Sequence, residues 1–330
     1  MDVSVRDLTA EDVDAFDTLL GAVEADHATS LRLRGPEFLE IRTLPGAVFL
    51  GGFDEGGAGD VVAWSGFLGT TSADGSQRFL LDGETHPDLL GRGLGTRLLE
   101  AALERARRTR AEAAPDAPAV YLYRGPAGRA AQRRLLGEHG LEPDRFRFLM
   151  VARLAAVAPT SPPPVPAGLE LVPFDPRGSE AVRAAHNRAF AGYPNGGDAD
   201  RLSWEGYLVH PPHVRHELSF LLTDPADGGA VVAYVFGHEY AEPVSALPGV
   251  RELYVPYLGT SPEHRGRGLA GVLLGHAMHA ARVAGFDTVS LDVDAANPTG
   301  ALGLYERAGF EVLRRFDEYA LREPGAAPAR

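Results

Sequence analysis

The chain has 330 residues, of which 45% are hydrophobic and 23% charged, a composition typical of a globular protein with two domains. It has no cysteine, which excludes disulfides, thiolate metal sites and cysteine nucleophiles. The formal net charge of −13 argues against a nucleic-acid partner and weakly favours cationic small molecules.

The amino-terminal segment has no apolar signal core, and no uninterrupted apolar run reaches the length of a membrane span. We therefore expect a soluble, cytoplasmic protein that has no membrane partner and is a monomer or a homodimer.

The first half of the chain alternates strand and helix patterns. Residues 3–8 alternate as a strand does, and Thr9 with Asp12 is typical of a helix start. Residues 47–50 and 61–64 predict two further strands joined by a Gly/Asp turn. A fourth strand, a glycine-rich turn and an amphipathic helix over residues 96–110 follow.

A proline-rich segment separates the two halves. Residues 158–168 contain five prolines, which fix φ and remove hydrogen-bond donors, so neither helix nor sheet continues through them. We predict an amino-terminal domain over residues 1–155, a semi-rigid linker over 156–168 and a carboxy-terminal domain over 169–330.

The second half repeats the order of the first. It predicts a strand at residues 169–172, a helix at 180–190, and strands at 218–222 and 230–236, then a fourth strand, a glycine-rich turn and a helix at 271–284. Residues 86–95 align without gaps on residues 261–270, an offset of 261 − 86 = 175. A duplicated α/β domain explains this repeat most simply.

The turn Arg265-Gly-Arg-Gly-Leu-Ala270 has the chemistry of an anion site. The backbone N–H groups at a helix start have no internal partners, and the helix dipole adds positive charge there. Glycines allow close approach, and Arg265 and Arg267 supply charged donors. Together these features suit a pyrophosphate. The spacing matches neither the dinucleotide fingerprint nor the P-loop.

A second motif follows the fifth strand. Asn297 is followed by Ala301, Tyr305 and the pair Gly309-Phe310. With the Arg-x-x-Gly-x-Ala turn, this order resembles the GCN5-related N-acetyltransferase family over about residues 169–320. The resemblance implies an α/β fold of two tandem domains, each a mixed twisted sheet flanked by helices with splayed fourth and fifth strands.

The family resemblance also implies where acetyl-coenzyme A, the expected cofactor, would bind. The pantetheine arm would lie in the gap and pair with the backbone of the fourth strand, and the turn would hold the pyrophosphate. Pro256 predicts a bulge in that strand. The expected cofactor-binding residues are Tyr257, Leu258, Gly259, Arg265, Gly266, Arg267, Gly268, Leu269, Ala270, Asn297 and Tyr305.

Two residues are the expected catalytic pair. By resemblance, Tyr305 protonates the leaving thiolate, and Glu252, 13 residues before Arg265, takes the proton of the amine. A base acting through water, Asp292 and Asp294 remain alternatives. A fourth-strand N–H would hold the oxyanion, and the reaction needs neither a covalent intermediate nor a metal. His210, His213 and His216 lack a carboxylate at a recognisable ligand spacing, so we predict no metal site.

The acceptor is expected to be the primary amine of a small molecule. Aromatic and acidic residues suit a cationic amine, and the substrate candidates are Phe190, Tyr193, Trp204, Glu239 and Asp292. The tandem arrangement and the stretch from Asn187 to Tyr193 are similar to members of the family that acetylate a cysteinyl amine. An antibiotic-modifying enzyme, a protein N-acetyltransferase and a non-enzymatic acyl-coenzyme A sensor are the alternatives.

The first half lacks the key residues of the second. Leu90 stands where the second half has Arg265, Gln77 where it has Glu252, and Leu136 where it has Tyr305, whereas the glycines of the turn are kept. We predict that the amino-terminal domain is degenerate and not catalytic. Whether it binds cofactor unproductively or binds no ligand stays open.

Overall fold

The computed structural model describes residues 2–27, 29, 35–56, 59–72, 75–157, 161–191, 193, 199–295 and 300–325. The chain divides into two compact units. The first comprises Met1–Arg145 and Phe316–Arg330, and the second comprises Phe146–Arg315.

The first unit is a mixed sheet with helices. Its strands are β1 (Val3–Asp7), β2 (Ala47–Asp54), β3 (Val61–Thr71), β4 (Gln77–Thr85), β5 (Ala119–Pro126) and the second part of β13 (Glu311–Glu323). They lie in the order β1-β2-β3-β4-β5-β13, and only β4 and β5 are parallel. Its helices are α1 (Val13–Asp26), α2 (Pro36–Ile41), α3 (Leu94–Ala113) and α4 (Ala130–Glu138). The predicted Thr9 cap is present, since Thr9 and Asp12 form a capping box before α1.

The second unit repeats this plan. Its strands are the larger part of β6 (Glu142–Arg153), then β7 (Glu170–Pro173), β8 (Phe220–Asp224), β9 (Ala230–Val235), β10 (Glu252–Val255), β11 (Leu258–Thr260) and β12 (Thr288–Asp294). Its helices are α5 (Ser179–Phe190), α6 (Arg201–Trp204), α7 (Leu269–Val283) and α8 (Ala301–Arg307). Strand β8 begins two residues later than predicted, because a 3-10 turn occupies His216–Leu218. The predicted fold class is confirmed.

The final strand of each half completes the sheet of the other unit. Residues Arg147 to Arg153 of β6 pair with β12 in the second unit. Residues Phe316 to Glu323 of β13 pair with β5 in the first unit. The units therefore differ from the predicted boundaries at residues 155 and 169, because strand pairing is a non-local choice that an alternating pattern does not specify.

The proline-rich segment is attached to the second unit where the structure describes it. His276 on α7 lies 2.9 Å from the carbonyl oxygen of Pro163. A Cβ atom at Gly275 would meet the ring of Pro163 at 2.5 Å, so α7 needs a glycine at this contact. Pro163 therefore packs on α7, and residues 158–160 lie outside the described part of the chain.

The side chains of β10 alternate between the two faces of the sheet in the second unit. Leu253 and Val255 of β10 belong to the core formed with α7 and α8. Glu252 and Tyr254 consequently face the opposite side, because successive side chains of a strand alternate. Within the described residues, no helix is long and apolar enough to cross a membrane.

Candidate active site

The gap between the fourth and fifth strands of the second unit begins at Pro256. Residues Glu252 to Val255 pair in parallel with Thr288 to Leu291 of β12. After Pro256 the chain continues as β11, which pairs with β9 instead. Proline has no N–H for the ladder, so the strand breaks at this residue. The predicted splay of these two strands is therefore present.

Tyr257, Leu258 and Gly259 are the predicted cofactor-binding residues around β11, and the hydrogen-bond pattern leaves the backbone of one of them facing the gap. Tyr257 O accepts from Phe236 N, and Ser261 N donates to Val232 O. In an antiparallel ladder such paired residues alternate with residues that point away from the partner. Gly259 therefore pairs with β9 as well, whereas the N–H and C=O groups of Leu258 point toward the gap.

The glycine-rich turn has the conformation that an anion cradle requires. Gly266 and Gly268 both have φ of 75°, and a Cβ atom at either would meet nothing within 4 Å. Gly268 caps α7, and the exposed Arg265 and Arg267 flank it. The Arg265 side chain also donates to Ala189 O at 2.6 Å, which ties the turn to the end of α5. The N–H groups at the start of α7 suit a phosphate.

Tyr305 lies on α8 and is 9% exposed. Burial raises the pKa of Tyr305 to about 12, so the phenol is protonated at neutral pH. The helix ends in a Schellman motif, in which Phe310 N donates to Tyr305 O and Gly309 N to Glu306 O. Gly309 has φ of 91°, and the ring of Phe310 packs on Tyr305 at 5.9 Å. The motif's closing Gly-Phe thus has a structural role of its own, and only the hydroxyl of Tyr305 is left for chemistry.

Glu252 begins β10 and is 4% exposed. Its Oε1 atom accepts from Ser245 N at 3.1 Å, and its Oε2 atom is buried without a partner among the described residues. Two residues along the same face, Tyr254 donates its hydroxyl to Asp292 at 3.1 Å. The face therefore carries carboxylates from both β10 and β12.

The aromatic substrate candidates separate into two groups. Phe190 is half-buried, with its ring 5.8 Å from Tyr257 and 5.7 Å from Tyr193. The Tyr193 hydroxyl donates to Asp294 at 3.2 Å, so this group lies at the carboxyl end of β12. Trp204, in contrast, has no exposed surface and lies in the core. Trp204 thus packs in the core, and its role in the acceptor site stays a prediction.

Two other predicted site residues are Glu239, a substrate candidate, and Asn297, a cofactor-binding candidate. Glu239 forms ion pairs at 2.7 Å with both Arg251 and Arg215, and these guanidiniums hold the pKa of Glu239 below its usual range. A carboxylate held between two arginines is already neutralised, which makes it a poor partner for a cationic amine. Asn297 lies outside the described residues.

The three closely spaced histidines have three different environments. His210 lies 2.7 Å from Glu205, His216 lies 2.8 Å from Val209 O, and His213 stacks on Tyr240 with ring centroids 4.5 Å apart. Each of the three imidazoles therefore has a different partner in the structure.

Buried His238 was missed by the sequence analysis. It faces Tyr254 across the strands, with both backbone hydrogen bonds at 2.8 Å, and its Nδ1 lies 3.3 Å from the Tyr240 hydroxyl. No local pattern distinguishes such a residue, since its neighbours come from a different strand. Burial, together with His213, His216 and Arg215, holds its pKa well below the usual value.

This environment makes the stability of the fold sensitive to acid. Below pH 6.5, the ordinary pKa, the unfolded chain protonates His238 and the folded chain does not, so unfolding becomes more favourable. His213, whose pKa burial lowers to about 4, acts in the same direction. We expect His238→Phe to lose less stability than the wild type between about pH 7 and about pH 5. Urea denaturation at both pH values measures this; equal losses would show that His238 titrates normally.

The first unit has the same turn but a different gap. Gly91 and Gly93 have φ of 76° and 78°, matching Gly266 and Gly268. Gly83, the counterpart of Leu258 at the offset of 175, already has partners: its N–H donates to Asp82 at 2.7 Å, and its carbonyl accepts from the Tyr123 hydroxyl at 2.8 Å. Side chains of the first unit thus occupy the backbone groups of Gly83, whereas the corresponding groups of Leu258 point toward the gap in the second unit.

A second contact fixes that arrangement in the first unit. Gln132 on α4 donates to the Tyr123 hydroxyl at 3.0 Å. A Cβ atom at Gly125 would meet the Gln132 amide oxygen at 2.2 Å, so this side chain fills the space beside β5. Tyr123 is buried, and its pKa lies well above the usual value because of that burial.

Comparison with known proteins agrees with this geometry. The model of the "Acetyltransferase (GNAT) family" matches residues 20–126 and 180–310, one region in each half. A mycothiol acetyltransferase from Thermobispora bispora is 34% identical over 232 residues, covering 68% of this chain and 70% of the relative. Another, from Kytococcus sedentarius, is 31% identical over 313 residues and covers 93% of each chain.

Solved structures share the fold over the whole chain. A GCN5-related N-acetyltransferase from Sphaerobacter thermophilus has a TM-score of 0.73 at 24% identity, covering 98% of this chain and 97% of its own. A tandem GNAT protein from the clavulanic acid biosynthesis pathway has a TM-score of 0.68 at 18% identity, covering 98% and 100%. With a family match in each half and relatives of this identity, the chain belongs to the GNAT acetyltransferase family, in its tandem form.

Proposed function

We propose that the second unit transfers an acetyl group from acetyl-coenzyme A directly to the primary amine of a small molecule. The observation that carries this proposal is the open backbone of Leu258 beside a turn with two left-handed glycines. Leu258 would pair with an amide of the pantetheine arm, and residues 265–270 would hold the pyrophosphate. The cofactor supplies an activated acetyl thioester.

The residues of the second unit have separate proposed roles. Glu252 takes the proton from the ammonium group, so that the amine becomes a nucleophile. A backbone N–H at the splay stabilises the oxyanion. Tyr305, protonated in its buried site, donates a hydrogen bond to the leaving sulfur. Asp292 and Asp294 are the alternative bases, although both accept hydrogen bonds from tyrosines.

The first unit is proposed to be non-catalytic. It has Gln77 and Leu136 at the positions of Glu252 and Tyr305. Its Gly83 has its backbone groups occupied by Asp82 and Tyr123. We therefore propose one productive site in each chain.

The acceptor class is supported by two observations. Asp292 and Asp294 lie on one face of β12, and Asp294 accepts a hydrogen bond from Tyr193, whose ring contacts the half-buried ring of Phe190. Carboxylates and aromatic rings in this arrangement attract a cation. Relatives that cover nearly the whole chain carry the name mycothiol acetyltransferase. A small molecule with a cysteinyl amine is therefore the first acceptor to test.

A thiol-release assay tests this function. Acetyl-coenzyme A is supplied with a cysteinylated amino sugar, an aminoglycoside, a peptide amine or no acceptor, using wild type and Glu252→Gln. We expect thiol release with a small-molecule amine and a loss of about 100-fold or more in Glu252→Gln. Release with the peptide alone would contradict the acceptor class. No release with any amine, despite cofactor binding, would favour a sensor.

A further inference from the structure

One residue of the second unit has a backbone conformation that only glycine adopts easily. Ala246 has φ of 54°, the one positive value among the described residues other than glycine. It is exposed and lies in the segment that connects β9 to β10. A side chain in this conformation costs free energy, so it persists only where surrounding contacts hold it, and such residues cluster at functional sites. The contacts around Ala246 therefore indicate what the strain maintains.

The turn at Ala246 presents a backbone N–H to the proposed base. Ala246 N donates to Pro243 O at 2.9 Å, which closes a tight turn. The preceding residue, Ser245, has no exposed surface, and its N–H donates to Glu252 Oε1 at 3.1 Å. Leu247 N donates to Ser245 Oγ at 3.3 Å, which holds the turn from its other side. The strained residue thus lies directly beside the group that contacts Glu252.

The two ends of this connection are tied together. Glu239, near its start, forms an ion pair at 2.7 Å with Arg251, near its end. His238 and Tyr254 exchange two backbone hydrogen bonds of 2.8 Å. Residues 240–250 therefore form a loop with fixed ends, which has fewer conformations available than a free segment. The fixed ends help the turn to keep one position above β10.

The first unit has a corresponding turn of opposite polarity. Gly75 N donates to Ser72 O at 2.9 Å, and Gly75, like Ala246, has a positive φ, here 84°. Gln77 occupies the position of Glu252, and its side-chain amide donates to Gly75 O at 3.2 Å. The turn of the first unit thus offers a carbonyl to an amide, whereas the turn of the second unit offers an N–H to a carboxylate. Each turn is complementary to the side chain that follows it.

The hydrogen bond from Ser245 distinguishes the two oxygens of Glu252. Oε1 accepts from the Ser245 N–H, whereas Oε2 is buried without a partner among the described residues. A free glutamate side chain has many rotamers, and fixing one carboxylate oxygen restricts the position of the other. A catalytic group is most effective when it is held in its productive geometry in advance. Oε2 is therefore the oxygen that is available to take a proton.

We propose that Ser245 is a positioning residue for acetyl transfer: its N–H holds Oε1 of Glu252 so that Oε2 takes the proton of the amine, and the strained turn at Ala246 maintains this contact. An N–H bond of the ammonium group breaks, an O–H bond forms at Oε2, and the electron pair of the amine becomes available to attack the thioester. Glu252 returns the proton to solvent after the transfer. The proposal rests on the proposed function of Glu252.

The contact between Ser245 and Glu252 can be tested without measuring catalysis. We expect Glu252→Ala to speed hydrogen exchange of the Ser245 amide at least about tenfold, because the N–H loses its acceptor. Gln77→Ala, the matched change in the first unit, should leave this exchange at the wild-type rate. Mass spectrometry of peptides spanning residues 240–250 measures it. Equal exchange in the wild type and Glu252→Ala would overturn the proposal, whatever the protein catalyses.

The positioning role is tested in the acetyl-transfer assay. Ala246→Val places a β-branched side chain at a positive φ, so we expect kcat to fall about tenfold at a constant KM for acetyl-coenzyme A. Ala241→Val is the matched control, because Ala241 is exposed in the same loop and its φ is not positive; its kcat should stay at the wild-type value. Ala246→Gly relieves the strain, so it should raise the melting temperature.

The possible outcomes separate the positioning role from the proposed function. A wild-type kcat in Ala246→Val, or an equal loss in Ala241→Val, would overturn the role of the turn. If Ala246→Val does not fold, the exchange rate of the Ser245 amide in Glu252→Ala decides. A wild type whose Ser245 amide is protected by Glu252, but which transfers no acetyl group, would instead refute the proposed function.

Discussion

Replacing Arg267 by glutamate is expected to weaken acetyl-coenzyme A binding about 100-fold, because the change removes a charged donor and adds repulsion at the proposed pyrophosphate site. Arg267 is exposed at the turn, so the substitution should leave the fold intact. Arg265→Glu should weaken binding as well, but it also removes the hydrogen bond to Ala189 O. Isothermal titration calorimetry with each variant gives the affinities.

The first unit supplies a matched control for this experiment. Arg92 occupies the position of Arg267 at the offset of 175, in a turn with nearly identical glycine torsions. Arg92→Glu and Arg267→Glu both change the net charge from −13 to −15, since each replacement subtracts two. The change in net charge is therefore the same in both variants, and only the position of the new charge differs. An equal loss of affinity in both variants would show that the effect is not local to the second turn.

Tyr305→Phe is expected to lower kcat for acetyl transfer by about 100-fold and to leave the KM for acetyl-coenzyme A nearly unchanged. The hydroxyl is the group of Tyr305 that a phenylalanine lacks. The Schellman motif uses the backbone of Tyr305, and its hydrophobic contact with Phe310 needs only the ring. Steady-state kinetics with the acceptor identified in the thiol-release assay measure both constants.

Tyr121→Phe is the appropriate control for Tyr305→Phe. Tyr121 is also a buried tyrosine whose pKa burial raises to about 12, and its hydroxyl binds Glu323 in the first unit. Its variant should keep a normal kcat. If Tyr305→Phe also kept a normal kcat, or if kcat and cofactor affinity fell together, Tyr305 would be a structural residue and another donor would have to serve the leaving sulfur.

Features set by a few consecutive residues could be predicted from the sequence. The turn at Gly266 and Gly268 needs left-handed torsions that glycine adopts at little cost, and the structure has them. Pro256 predicted a bulge in the fourth strand, and the pairing of this strand with β12 ends at the preceding residue, Val255. The internal repeat aligned Gly91 and Gly93 with Gly266 and Gly268, and the four glycines have nearly the same φ.

Features that depend on contacts between distant segments could not be predicted. The exchange of β6 and β13 depends on which strand edge each one meets, and their alternating patterns suit either sheet. Trp204 is apolar enough for a core or a binding site, and only the packing around it decides. Glu239 accepts hydrogen bonds from Arg251 and Arg215, which are 12 and 24 residues away along the chain. His238 has neighbours from other strands for the same reason.

Calorimetric titration of the wild-type protein with acetyl-coenzyme A tests the central claim most directly. The open backbone of Leu258 and the occupied backbone of Gly83 together predict one equivalent bound in each chain. Two equivalents would show that the first unit also binds the cofactor, although Asp82 and Tyr123 occupy the backbone groups of Gly83. No binding at all would contradict the assignment of the second unit as an acetyl-coenzyme A site.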